Sequence, residues 1–274
     1  MLALIKIEWL KIKKYPAFWW MFGIVALTYP GTNMMFYYGY IESTNGKNKA
    51  MELAKMLLGN PFAFPETWHT VAFLSSFFIV IPAILVIMLV TNEYNYKTHR
   101  QNIIDGWSRS QFVTSKLFDV LIISGVCTIM YTVVAFSFGA WADIDNIGRW
   151  AEQLRYIPYF FMQTFAQLTL AFLMGFLIKK AFIALGIFFF YTMIFENIAV
   201  AYAKFKLQDI GKFLPFEISD RIITNPAFMS RFGKDMKDAY EKALGQVNTH
   251  ILLSLLLTSA IWAFCYYLHK KRDL

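Results

Sequence analysis

Six apolar runs divide the sequence, and their length decides the fold class before any motif does. A helix crossing a hydrocarbon core about 30 Å thick needs roughly 20 apolar residues at about 1.5 Å each. The runs at 17–40, 70–91, 112–138, 156–178 and 250–268 meet that requirement readily. The run at 181–202 contains Glu196 and Asn197 and is counted as a span with them. Inside lipid the backbone must satisfy its own hydrogen bonds, so each run is expected to be a helix. Without period-two alternation, a barrel is excluded. With 58% hydrophobic and only 16% charged residues among 274, a water-soluble domain could not hide its apolar surface. The expectation is an all-α integral membrane protein forming one domain over 1–274.

Residues 1–15 read as an interfacial helix, with Leu2, Ile5, Trp9 and Ile12 on one narrow stripe and Lys6, Lys11, Lys13 and Lys14 on the other faces. Too short and too charged to span, it is expected to lie along the membrane surface with Trp9 dipped toward the acyl chains. With the N-terminus placed in the cytoplasm, thirteen of the 26 Lys and Arg residues fall on inside segments, at nearly twice the density of the outside loops. Both termini are therefore expected inside. The net charge of +8 suits anionic headgroups. Basic residues scattered between spans, with no aromatic-interleaved patch, argue against nucleic acid. Cys127 and Cys265 sit in apolar runs, which argues against a structural disulfide or a zinc site. No small-residue cleavage motif precedes the first long run, so no cleaved signal peptide is expected.

One stretch breaks the apolar pattern. Residues 92–116, NEYNYKTHRQNIIDGWSRSQFVTSK, form a polar, basic island between the second and third runs. Residues 96–104 can make about two helical turns, Gly106 permits a reversal, and the next helix is expected to begin near Ser108. The result is a short lever between two spans. Lys179-Lys180 is a minimal turn that makes the fourth and fifth spans an antiparallel hairpin. The loop at 203–249, with Pro215 and Pro226, is expected to form short helices capping the outer mouth.

Several chemistries are missing. No G-x-x-x-x-G-K-[ST] occurs, so no P-loop binds nucleotide. His69, His99, His250 and His269 form no H-E-x-x-H, and there is no G-x-S-x-G, so neither a metal nor hydrolytic machinery is expected on this chain.

The order of these parts resembles that of ABC-2 type transporter permeases. Within the island, Glu93, then Thr98, Arg100 and Gln101, then Asp105-Gly106, then Ser108-Arg109 and Lys116, is similar to the family pattern of an acidic residue, a basic helix, a small-residue turn and a Ser-Arg before a lysine-led third span. The resemblance covers nearly the whole chain in layout and about 25 residues in sequence. It implies an ABC-2 (type V exporter-like) fold of six transmembrane helices behind an elbow helix, in the cytoplasmic (inner) membrane of a bacterium. It also implies that 92–111 is a coupling region seated in a groove on a separate soluble ABC ATPase, through Glu93, Lys97, Thr98, His99, Arg100, Ile103, Asp105, Gly106 and Arg109. Two ATPase copies and a second permease, identical or related, complete the implied assembly, with ATP and magnesium bound by the ATPase and membrane lipids around the helices. The chain itself is then no enzyme. Its cargo is left open among a peptide, a lipid or glycan, and a small amphipathic compound.

Polar groups at lipid depth mark places where that cargo could pass. Gln163 and Gln167 project from one face of the fourth span, toward the bundle or a dimer interface. Glu196 and Asn197 lie in the outer half of the fifth, either on the path or reaching exterior water. Pro30 and Pro82 are potential hinges. A passive channel, and after it an intramembrane enzyme or scaffold, are the alternatives to an ATP-driven exporter.

Overall fold

The computed structural model describes residues 2–44, 59–104, 106–206, 210–228 and 234–271, with side chains omitted at 2–5 and 234–235. The expectations placed on Asp105 and on parts of the outer loops therefore lie outside the described residues. The described residues contain helices and no strand. In chain order they are α1 (Leu2–Lys14), α2 (Pro16–Thr44), α3 (Thr67–Ser76), α4 (Val80–Asn95), α5 (Thr98–Ile104), α6 (Arg109–Ala142), α7 (Tyr156–Ile178), α8 (Ala181–Phe189), α9 (Glu196–Lys206), α10 (Pro215–Asp220) and α11 (Lys234–Lys271). A π-helical turn, Phe190–Phe195, joins α8 to α9.

Among the described residues, four helical stretches are both long and apolar enough to cross a membrane: Arg109–Ala142, Tyr156–Ile178, Ala181–Lys206 and Met236–Lys271. A fifth crossing is available if α3 and α4, bent by 48° at the break between them, count as one. The expected first span, α2, is long enough at 29 residues but less apolar, because Trp, Tyr, Gly and Pro dilute its aliphatic content. The second expected span is thus a broken pair, and Pro82 accounts for the break. Proline has no N–H for the carbonyl four residues back and its ring crowds that carbonyl. The Phe78 carbonyl instead accepts from Ile81 N, at 3.0 Å, in a tightened turn. At Pro30, by contrast, α2 runs on as one helix. The last helix starts at Lys234, well before the expected 250, so the preceding outer segment is shorter than 203–249.

α7 occupies the middle of the bundle, packed against α3, α4, α6, α8, α10 and α11. Of its apolar window 56% is buried, against 17% for Ala181–Lys206, which places the latter at the periphery with most of its apolar surface outward. Aromatic stacking holds the centre: Tyr131 lies 4.5 Å from Phe160 and Phe172 4.4 Å from Trp262. Trp262 also donates its indole N–H to Thr169 Oγ1 at 3.2 Å, satisfying a polar group that burial would otherwise penalise.

Alternating spans bring distant segments together at two ends. At the island end, Lys11 lies over the Trp107 ring at 5.2 Å, Lys179 over Tyr94 at 5.0 Å, and Phe112 stacks on His269 at 5.0 Å. α1, the island, the Lys179-Lys180 turn and the C-terminal part of α11 therefore share one end. At the loop end, Trp68 donates to Trp150 O at 2.9 Å, and His69 Nε2 meets Thr224 O at 2.7 Å while stacking on Tyr156.

Gly139 marks the tightest approach between the entry to α3 and α6. A Cβ there would lie 2.5 Å from the Phe64 ring, which is itself wedged between Trp68 and Phe136. Gly139→Ala is expected to destabilise the protein by about 1–3 kcal/mol, as overpacked cores do. Gly125→Ala, which meets nothing within 4 Å, is expected to leave the thermal midpoint unchanged or slightly raised in the same detergent melt.

Candidate functional site

The island is built from ordinary local rules and one unusual turn. α4 ends where Tyr96 N returns to Asn92 O at 2.9 Å, and Lys97 then takes a left-handed conformation (φ 56°) that reverses the chain. Lysine accepts that region at some cost, since its Cβ crowds the following carbonyl. α5 follows for seven residues, none of them buried. Gly106 (φ 98°) makes the second reversal. Ser108 then caps α6 with a reciprocal box: its Oγ accepts from Gln111 N at 3.2 Å, and Gln111 Oε1 accepts from Ser108 N at 2.7 Å.

Beneath this island lies a buried ion cluster. Lys116, on the second turn of α6 and 2% exposed, donates to Glu8 Oε2 at 2.9 Å, Glu93 Oε1 at 2.7 Å and Asp119 Oδ2 at 2.9 Å. An ammonium has three N–H donors, and here each has its own carboxylate. Lys11 closes the group from α1, 2.8 Å from Glu8 Oε1 and 3.6 Å from Glu93 Oε1. Burial alone would raise the Glu8 carboxyl, but the Lys116 and Lys11 ammoniums outweigh it and hold the group at about 2.

Glu93 is the joint between cluster and island. Its carboxylate enters the bundle, whereas its backbone carbonyl receives Thr98 Oγ1 at 3.4 Å and meets His99 Nδ1 at 3.0 Å. His99 also lies against Tyr94. Lys97 and Arg100 are exposed, Ile103 is half-buried, and Arg109 donates to Lys270 O at 3.0 Å, reaching the last helix. Two apolar side chains that the sequence did not single out, Tyr96 and Ile104, stand out from the island, Ile104 83% exposed. The stripe expected on α1 also differs. Glu8 and Ile12 form the buried side, while Trp9 is partly exposed, because a charged partner inside the bundle draws Glu8 inward.

The remaining polar residues gather at the loop end. Gln163 and Gln167 both donate to Asp220 Oδ1, at 3.0 and 2.6 Å. Glu196 is 4% exposed, and its Oε1 accepts the backbone N–H of Glu217 at 2.7 Å. α10 is thereby pinned to α7 on one side and α9 on the other, reaching into the bundle rather than only capping it. Asn197 is exposed on the opposite face, its Nδ2 bound to the carbonyls of Thr192 and Met193 at 2.9 and 3.1 Å, which the π turn leaves available. Among the described residues no group of His, Cys, Asp and Glu is arranged to hold a metal.

One family's sequence model, described as ABC-2 family transporter protein, matches residues 4–195 of the 274. The match takes in α1, the island and the ion cluster whole, and stops one residue before Glu196. No curated protein and no solved structure matches the chain.

Lys116→Met leaves three carboxylates facing one another without their shared cation. It is expected to cost about 3–5 kcal/mol of stability, whereas removing Lys116 together with Glu8 and Asp119 by apolar isosteres is expected to cost much less. Glu8 sets the acid limb. Its folded value lies below its ordinary 4.5, so its contribution is complete above 4.5 and is lost as pH falls through about 2. The melting-temperature gap between wild type and Glu8→Gln is therefore expected to be full at neutral pH and to close progressively below pH 4.5.

Proposed function

The chain belongs to the ABC-2 transporter family, and from that premise we propose that it is the permease subunit of an ATP-driven exporter whose island docks on a separate ABC ATPase. The family's members are membrane components of transporters that normally work with an ATPase partner, and the apolar helices fit a multi-pass membrane protein. The observation that carries the finer reading is the way the island is mounted. The island presents Tyr96, Arg100 and Ile104 outward and α5 has no buried residue of its own, yet the root of the island, Glu93, is locked to Lys116 in the bundle. A short helix free on its outer side and rigidly tied on its inner side suits the transmission of a push.

In this reading the island end faces the cytoplasm, both termini lie there, and α2, the α3–α4 pair, α6, α7, α8–α9 and α11 are six spans of a type V exporter-like permease. α1 is the elbow helix. Lys97, Thr98, His99, Arg100, Ile103, Asp105, Gly106 and Arg109 shape or contact the docking surface, with Glu93 acting from beneath. The working unit pairs this chain with a second permease, identical or related, and with two ATPase copies that bind ATP and magnesium. Gln163, Gln167, Glu196 and Asn197 border the cargo route at the loop end, and the break ahead of Pro82 is its hinge.

Affinity purification from native membranes in mild detergent tests the assembly. A Walker-containing ATPase arriving near one-to-one is expected, with hydrolysis that depends on an intact island. Ile103→Pro breaks α5 without touching a span, and it is expected to insert normally while lowering coupled ATP hydrolysis roughly tenfold or more, since proline costs a helix interior about 3 kcal/mol. A chain that purifies alone and active, or unchanged coupling in Ile103→Pro, contradicts the proposal.

A further inference from the structure

Beside the loop-end half of α2 lies a cavity of about 380 Å³, bounded by α2, the entry to α3, α3 itself and Phe228 of the outer segment. Asn33 Nδ2 lies 3.4 Å from Ser75 Oγ and Tyr37 meets Phe62 at 5.6 Å, so α2 and α3 run in opposite directions in a fixed register. Leu74 therefore lies at the deep end with Met35 and Phe36, and Thr70, one turn nearer the loops, is level with Gly39 and Tyr40. Residues 35–43 are roughly 28–40 Å along α2 from Pro16, which sets the deep end at the edge of a hydrocarbon core about 30 Å thick and the other end at headgroup level.

The lining changes character along that axis. Pro61, Phe62 and Leu74 form a buried apolar wall, and Met35 and Phe36 are exposed on the side turned to lipid. Toward the loops come hydroxyls. Tyr40 donates its own to Gly59 O at 2.6 Å and Ser43 to Gly39 O at 2.7 Å, so each has its proton engaged and presents only acceptor lone pairs. Among the described lining residues none is charged. A charged head of either sign would find no counter-charge in that lining, whereas the O–H of an uncharged head finds two acceptors. Gly39 keeps the space open, since a Cβ there would meet nothing within 4 Å.

We propose that this cavity binds a single-chain, uncharged lipid, its acyl chain against Phe62 and Leu74 and its hydroxyl head at Tyr40 and Ser43. An apolar chamber at the margin of the hydrocarbon disfavours water and accepts a chain, and a volume near the lower end of the ~300–1,000 Å³ usual for ligand pockets suits one chain rather than two. Phosphatidylcholine, whose head has acceptors and no donor, cannot use the hydroxyl rim. Such a site is additional to the permease reading, and its occupancy needs neither ATP nor an ATPase, so failure of one is distinguishable from failure of the other.

The experiment uses the full chain in phosphatidylcholine nanodiscs, because sugar-headed detergents are themselves single-chain hydroxyl amphiphiles, and follows its thermal midpoint by tryptophan fluorescence. Monooleoylglycerol is titrated against methyl oleate, which has the same chain and no donor. A saturable rise with monooleoylglycerol beyond methyl oleate is expected. Gly39→Leu fills the cavity and is expected to weaken that response roughly tenfold or more. The midpoint of this variant without added lipid should not fall, since leucine is the better helix former. Gly23→Leu, on the same helix, also meets open space but lies outside the cavity, and it is expected to leave the response unchanged. No saturable response, an equal response to methyl oleate, a response that survives Gly39→Leu undiminished, or one that Gly23→Leu abolishes as fully as Gly39→Leu overturns the proposal.

Discussion

An ammonium inside an apolar bundle is tolerable only when every donor is met, and Lys116 meets that condition with carboxylates from three separate places in the chain. Glu8 comes from the interfacial helix, Glu93 from the last turn of α4 and Asp119 from α6 itself. Displacing any one of these elements by an ångström or two would strand a buried charge, so the three are constrained to move together. The island hangs from two of them. Its entry is fixed at Glu93 and its exit at the Ser108 cap that begins the helix bearing Lys116. A seven-residue helix with no buried side chain has little stability of its own, and its position is inherited from this cluster.

The far end of the bundle uses weaker, neutral-to-charged bonds and is arranged less rigidly. α3 and α4 break ahead of Pro82, a π turn interrupts the arm leading to Glu196, and α10 is held by two glutamines and one carboxylate. α7 connects the two regimes. Its upper half carries Gln163 and Gln167, and its lower half packs Phe176 against Tyr94 and His269, beside the island. Motion of the island together with the cluster therefore has a continuous packed route to the loop end, through the most buried of the long membrane-crossing helices.

Much of this was legible in the sequence because it depends on composition and period. Run lengths gave the helical membrane class, Lys179-Lys180 gave the hairpin, and Ser108 announced the start of α6. The ion cluster was not legible in that way. Glu8 lies in a lysine-rich helix where a single acid looks like a surface residue, and nothing local ties position 8 to 93, 116 or 119. Glu93 falls in the stretch that the resemblance assigns to an ATPase contact, yet on the last turn of α4 its carboxylate faces Lys116 inside the bundle, a partner 23 residues away that no local pattern announces. Asp220 was hidden for the same reason. Its partners lie more than fifty residues away, and the loop containing it read as a cap rather than as a segment entering the bundle. α2 shows the opposite limit, since its aromatic and glycine content makes a length-sufficient helix score poorly as a lipid-crossing segment.

The central claim is that the cluster makes the interfacial helix and the island one rigid unit. The most direct measurement is the distance between spin labels on exposed sites of the two, Lys14→Cys in α1 and Gln101→Cys in α5, with the native cysteines Cys127 and Cys265 buried. In the purified complex that distance should stay the same and narrowly distributed between the nucleotide-free and ATP-trapped states, and it should broaden when Lys116→Met is added. A distance that changes on ATP trapping in the wild type, or that ignores Lys116→Met, would contradict the account.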